Sequence, residues 1–254
     1  DIRTLLPIPT HSEHDNGPYI TAGLVIARNP KTGVQNVSIN RIQIHGPDRL
    51  GILILPRHLH AFFAAAEAKG EPLEVAIAIG VDPLTALASQ AIVPIDCDEL
   101  EIAGALHGAP LPVAKCLTND VRVPAEAEIV IEGRLLPRVR EPEGPFGEFP
   151  KYYSAREERE VIAVDAVTHR RDPLFHTIVP AEMEHLLLGA IPRAVEGVVG
   201  VGDGDAVLGG GGDVGELARG GGERAAPEQR RRAIAHGAWR RSRPDHGRVG
   251  GAGM

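Results

Sequence analysis

A chain of 254 residues, 43% of them hydrophobic, can bury a substantial core as one large domain or two small ones. Its net charge of −7 and pI near 5.9 argue against a nucleic-acid surface, which needs concentrated positive charge, and favour small-molecule chemistry. No apolar run reaches the roughly 20 residues of a membrane helix, and the opening DIRTLLPIPTHSEHDNG lacks the basic-then-apolar order of a secretion signal. Two cysteines, Cys97 and Cys116, make neither a disulfide framework nor a C-x-x-C pattern, so a cytoplasmic protein with reduced, buried thiols is expected. Residues 19–79 read as strands more than helices: YITAGLVIA, a hairpin turn at Asn29-Pro-Lys-Thr-Gly33, then QNVSINRIQI and LGILILP. HLHAFFAAAEAKG follows as a short helix that Gly70 ends, and LEVAIAIG is a buried strand. Asp82 with Pro83 starts a further helix through LTALASQ, and Asp98 caps ELEIAGALHG. PLPVAKCL and AEIVIEG resume the strand pattern before a proline- and acid-rich stretch at 137–150. EVIAVDAVTHRR and PLFHTIVP predict two more strands, and AEMEHLLLGAIP begins a helix that enters a second domain. The class is α+β, a β-rich body with inserted helices.

The chain then changes character. Residues 195–254 hold 17 glycines, no Lys, Asn, Thr, Phe or Tyr, and arginine clusters at 230–232 and 240–243. Such a segment buries little apolar surface. A flexible Gly/Arg-rich tail is one reading; out-of-frame translation of a GC-rich gene is the other, and it accounts for the abrupt loss of patterning.

Three residue sets could carry chemistry. In EPEGPFGEFPKYY two carboxylates, Glu143 and Glu148, flank a Gly-Pro-Phe-Gly segment that cannot be a regular helix, so a shaped loop is required. Its glycines permit close backbone approach, and Phe146 can seal it against the body. Both acids could face one pocket, although acidic glycine loops are more often solvated turns. Arg41 falls in NVSINRIQI, two and four residues after Ile39 and Val37, and so on their face of a continuous strand. Its planar fork there either holds a carboxylate or reaches water from a sheet edge. Asn36, His58 and Glu99 offer an amide oxygen, an imidazole and a carboxylate, donors suited to Mn²⁺ or Mg²⁺. Spacing alone does not join them, and singly they read as a turn residue, a helix-start histidine and a first-turn helix acid.

The ordered motifs NVSINRIQIHGPDRLG, LPRH, GEPLEVAIAIGVDP, DELEIAGALHG, VAKC, VPAEAEIVIEG, EGPFGEF and THRRDP, spread over roughly residues 5–193, resemble the UbiD-like decarboxylases, which use prenylated flavin mononucleotide. That resemblance implies an α/β, split-barrel, α/β architecture. Residues 1–165 would be the flavin-binding split barrel, 166–194 the start of the C-terminal α/β domain and 195–254 the aberrant tail, with the usual N-terminal domain absent. It also implies a non-oxidative decarboxylase of aromatic, heteroaromatic or α,β-unsaturated carboxylic acids, in which the flavin supplies the electron sink that no side chain provides. By the same resemblance Arg41, Glu143 and Glu148 are catalytic, with Glu148 the proton donor. Ile39, Asn40, Arg41, Leu55, Arg57, His58, Ser89 and Gln90 would contact the cofactor. Asn36, His58 and Glu99 would hold Mn²⁺ or Mg²⁺ at its phosphate, with K⁺ a further ion. Implied partners are the carboxylic acid substrate, a flavin prenyltransferase as cofactor supplier and further copies of the chain in a homo-oligomer, with no nucleic acid and no integral membrane segment. Two departures stand out: Lys151 replaces the family's usual glycine before the tyrosines, and the tail stands where further cofactor contacts, including a lysine, belong. A non-catalytic flavin-binding or assembly subunit, or an inactive gene fragment, is the alternative.

Overall fold

The computed structural model describes residues 1–148 and 150–188, with four short backbone stretches further on at 201–202, 205–208, 212–213 and 232–235. Apart from those stretches, the tail expected over 195–254 lies outside the described residues. Ten strands form the body: β1 (Tyr19–Ile20), β2 (Leu24–Arg28), β3 (Gln35–Ile39), β4 (Ile42–Ile44), β5 (Arg49–Ile52), β6 (Leu73–Ile79), β7 (Val113–Lys115), β8 (Arg122–Pro124), β9 (Ile129–Glu143) and β10 (Glu157–His169). β7 and β8 make a separate pair, and the rest form an antiparallel sheet in the order β1-β4-β5-β10-β9-β6-β2-β3. Arg232–Ala235 pairs with Ala166–His169 of β10. Four helices accompany them: α1 (Ile2–Leu5), α2 (His58–Glu67), α3 (Pro83–Ala88) and α4 (Glu99–His107). Residues 183–188 are also helical. Among the described residues no helix is long and apolar enough to cross a membrane.

Connectivity dictates the shape of the sheet. β3 lies at one edge and β4 next to the other, yet only Asn40 and Arg41 separate them in sequence. Six strand spacings of about 4.8 Å would hold them roughly 29 Å apart in a flat sheet, whereas three extended residues reach only about 11 Å. The sheet must therefore curl until its edges approach, a half-closed barrel with Arg41 at the seam.

Strand alternation serves both faces. Val25 and Ala27 of β2 join Ile42, Ile52, Ile77, Ile131 and Ile162 in a core that α2 covers with Leu59, Phe62 and Phe63. Leu24 and Ile26 point the other way, onto Leu100 of α4, Val121 and Val123. Two of the expected caps, Asp82 and Asp98, form as the residue types require, and Gly108 adds a glycine stop. Asp82 accepts from the Leu84 and Thr85 amides, Asp98 accepts from Leu100, and Gly108 ends α4 in the left-handed region at φ 68°.

Three local expectations need correction. QNVSINRIQI is not one strand: Asn40 accepts from Ser38 Oγ and donates to Leu53 O, diverting the backbone so that β3 and β4 pair with different neighbours. The 137–150 stretch remains strand as far as Glu143, because Pro137 falls in a bulge where residues 136–139 oppose Val161 alone. Arg138, at φ 59°, donates its N–H there to Glu67 of α2 at 2.7 Å, pinning the bulge to the helix. PLFHTIVP is not a strand. Its Leu174, Ile178 and Val179 amides go to side chains of Glu128, Thr21 and Glu184, leaving no ladder to join. β10 also runs unbroken through Asp165 and Ala166. Neither cysteine forms a disulfide; Cys116 is buried and Cys97 half-buried.

Candidate active site

Glu143 ends β9 with its side chain fully buried, and Gly144, at φ 88°, turns the chain into the acidic loop. At the seam Arg41 donates to it through two bonds, Nε to Oε1 at 3.0 Å and Nη2 to Oε2 at 2.7 Å. Its remaining Nη1 donates to Oε1 of Glu148, whose side chain is 30% exposed. The two acids thus differ: one is a bidentate, dry partner, the other a single, partly wetted one. Burial works against the charge on Arg41, but Glu143, then Glu148, hold its guanidinium above the ordinary arginine value. Phe146 seals the loop as its sequence position suggested, 5.4 Å beneath the guanidinium and 4.5 Å from the Tyr19 ring. Burial first, and the Glu143 charge second, keep the Tyr19 phenol protonated far above its ordinary range.

Two cavities meet here, sharing Ile39, Asn40, Leu55 and Leu188. The smaller, about 160 Å³, is lined by Arg41, Phe146 and Glu148 together with Thr21, Ile178 and His185. The larger, about 680 Å³, is lined by Asn36, Arg57, His58, Ser89, Gln90 and Glu99, a size suited to a cofactor. All the residues expected at the cofactor and metal therefore fall on these two walls, although spacing had not joined them.

Asn36, His58 and Glu99 fit a hard divalent ion. Burial pushes the Glu99 carboxyl up to about 8, against a 2.8 Å bond from the Val37 amide that favours its charge; a bound cation would displace that proton. The buried Asn36 amide nitrogen has no hydrogen-bond partner, and a half-turn of that amide presents an oxygen ligand instead. Burial, then neighbouring Arg57, lowers the His58 imidazole, which leaves it neutral as a ligand must be. Among the described residues no group of three His, Cys, Asp or Glu side chains could hold a metal, and the expected set differs from such groups in including the amide of Asn36.

Sequence reasoning missed Tyr19, Thr21 and His185. His185 Nδ1 accepts from the Ala181 amide at 3.3 Å, which puts its N–H on Nε2, 4.0 Å from Glu148 Oε2. Its only sequence signal is a histidine directly before an apolar helical run, HLLL.

The fold and site combine a curled antiparallel half-barrel with a buried arginine held between two glutamates, beside a cofactor-sized cavity. The chain belongs to the UbiD family: residues 1–183 match its 3-octaprenyl-4-hydroxybenzoate carboxy-lyase Rift-related domain. It is 47% identical over 188 residues to anhydromevalonate phosphate decarboxylase of Methanothermobacter thermautotrophicus, covering 74% of this chain and 44% of that one. Phenolic acid decarboxylase of Bacillus subtilis is 38% identical over 190 residues, covering 73% and 38%. Among solved structures, an evolved dimeric form of the UbiD-class enzyme HmfF from Pelotomaculum thermopropionicum, in complex with prenylated FMN, is 59% identical with a TM-score of 0.74, covering 79% of this chain and 48% of that one. The chain spans less than half the length of each of these three proteins.

Proposed function

We propose that this chain carries the flavin-binding and proton-donating part of a non-oxidative carboxy-lyase acting on an aromatic, heteroaromatic or α,β-unsaturated carboxylic acid with prenylated FMN. The observation that carries this reading is the buried Arg41 joining Glu143 and Glu148 beside the larger cavity. When bound, the flavin supplies the sink for the electron pair left as CO₂ departs. Ile39, Asn40, Leu55, Arg57, Ser89 and Gln90 line the space for it, and Asn36, His58 and Glu99 would hold Mn²⁺ or Mg²⁺ at its phosphate. Arg41 holds Glu143 through two hydrogen bonds and orients Glu148, which delivers a proton to the carbon that lost CO₂ and recovers one from water through its exposed part. Flavin prenyltransferase supplies the cofactor in this reading, copies of the chain assemble with one another, and two cysteines that form no disulfide suit the cytoplasm.

The test is Glu148→Gln in protein reconstituted with prenylated FMN. Turnover is expected to vanish while flavin absorbance, and Mn²⁺, Mg²⁺ or K⁺ uptake, persist; undiminished decarboxylation overturns the assignment. A second reading, a flavin-binding assembly subunit, is favoured by Leu55 and Ile92, which line the larger cavity yet are 55% and 46% exposed. Flavin uptake without turnover until a partner chain is added would select it.

A further inference from the structure

The acidic loop leaves no backbone donor of residues 144–148 unpaired. Gly144 N–H donates to Gln43 Oε1 at 3.0 Å, Phe146 N–H to Ser154 Oγ at 3.1 Å, Gly147 N–H to Asp15 Oδ1 at 2.8 Å and Glu148 N–H to Tyr152 O at 2.8 Å. Pro145 has no N–H to place, and its carbonyl accepts from Asn16 at 2.9 Å. Two of these ties lead to the segment that precedes β1. Asn16 O in turn accepts from Gln43 Nε2, and the His14 amide donates to the Tyr153 hydroxyl at 3.3 Å.

Of the residues before β1, Asp15 holds the amide next to Glu148, and both its oxygens are committed. While Oδ1 accepts from Gly147, Oδ2 accepts from the Ser12 amide at 2.9 Å, and the Asp15 amide donates back to Ser12 O at 3.1 Å. A closed turn therefore fixes the carboxylate before it meets the loop. A Cβ at position 147 would stand 3.0 Å from Ser12 Oγ, a tight contact that Ser12 would have to relieve by shifting the turn beside Asp15, and 3.7 Å from Asp15 Oδ1, an ordinary contact.

We propose that Asp15 is a positioning residue for Glu148: by capturing the Gly147 N–H it holds the adjoining peptide, and with it the Glu148 carboxyl, in reach of Arg41 and the smaller cavity. The inference rests on the reading of Glu148 as the proton donor.

Asp15→Ala, Asp15→Asn and Gly147→Ala are compared in the full chain. Without flavin, amide exchange at Gly147 is expected to accelerate in D15A, while Phe146, tied to Ser154, stays protected. Loaded with prenylated FMN, D15A and G147A are expected to lose kcat by roughly 10- to 100-fold with KM unchanged, the scale of a small misplacement of a reacting group. D15N keeps one oxygen that can accept from Gly147 while giving up the bond from the Ser12 amide, and is expected to recover part of the loss, which a general structural defect would not show. Should D15A fail to fold, Asp15→Glu, which shifts the carboxylate by one methylene, replaces it. Unchanged Gly147 exchange, or unchanged kcat, in D15A overturns the role of Asp15 while loss of turnover in E148Q leaves the reading of Glu148 intact. Turnover that survives E148Q removes that reading and the role of Asp15 with it.

Discussion

Replacing Arg41 by methionine keeps much of the side-chain volume and removes the charge, which isolates what the guanidinium does for the fold. Glu143 is fully buried and Arg41 only 10% exposed, so the substitution strands a carboxylate in the interior. Removing one partner of a buried pair typically costs about 3–5 kcal/mol, because the survivor keeps its desolvation penalty. The Glu148 contact is partly wetted, and such pairs contribute only about 0–1 kcal/mol. The expected order of destabilisation is therefore R41M and Glu143→Gln well above Glu148→Gln. The double variant R41M/E143Q should lose less than the sum of its parts, by roughly 0.5–3 kcal/mol of coupling. Urea unfolding followed by circular dichroism, with equal slopes across the set, measures all four. Equal costs for E143Q and E148Q, or an R41M cost below about 1 kcal/mol, would refute the division into one structural and one available acid.

Three further outcomes follow from the same contacts. Gly133 faces Ala163 O and Ile162 Cγ2 across the β9–β10 ladder, so Gly133→Ala should destabilise by about 1–3 kcal/mol in the same unfolding assay, through overpacking. Burial raises the Glu141 carboxyl, but hydrogen bonds from His45 and Arg49 outweigh it and hold the group below the ordinary glutamate value of about 4.3. A depressed folded-state value gives stability that is present above the unfolded value and lost as pH falls through the folded one. Glu141→Gln should thus be the less stable protein at pH 7, with the gap closing below about pH 4, as read from melting temperatures across pH. Glu99→Gln and His58→Ala should each weaken Mn²⁺ uptake, measured by calorimetry on the flavin-free chain, without altering the sheet; undiminished uptake in both would exclude these side chains as ligands.

Local chemistry made part of this structure legible. Asp82, Asp98, Gly108 and the Asn29–Gly33 turn act through neighbours within a few residues, so their residue types announce them. Arg41 and its two glutamates were legible as chemistry but not as geometry. Their contacts span 102 and 107 residues, and only the curling forced by the two-residue link between β3 and β4 brings them together. PLFHTIVP failed as a strand because its amides find Glu128, Thr21 and Glu184 instead of a ladder, a choice with no trace in its own apolar pattern. The clamp segment HSEHDNG reads as an ordinary polar turn, since its function lies in receiving two loop groups more than a hundred residues away.

The same forces that hide the site from local reading make it work as a unit. In the proposed reaction the proton donor must keep one orientation, and a loop of two glycines and a proline has little intrinsic preference for any. Here the orientation is imposed from outside the loop. Arg41 binds Glu143 twice and Glu148 once, and Phe146 wedges beneath the guanidinium. Gln43, Asp15 and Ser154 take the loop amides, so the loop's conformation is a property of the closed half-barrel. It follows that weakening the barrel far from Arg41, as Gly133→Ala does, should loosen the Gly147 amide only in proportion to global stability, whereas Asp15→Ala should loosen it at constant stability. Exchange rates measured at two urea concentrations separate those behaviours, and identical urea dependence in the two variants would mean that the loop has no anchor of its own.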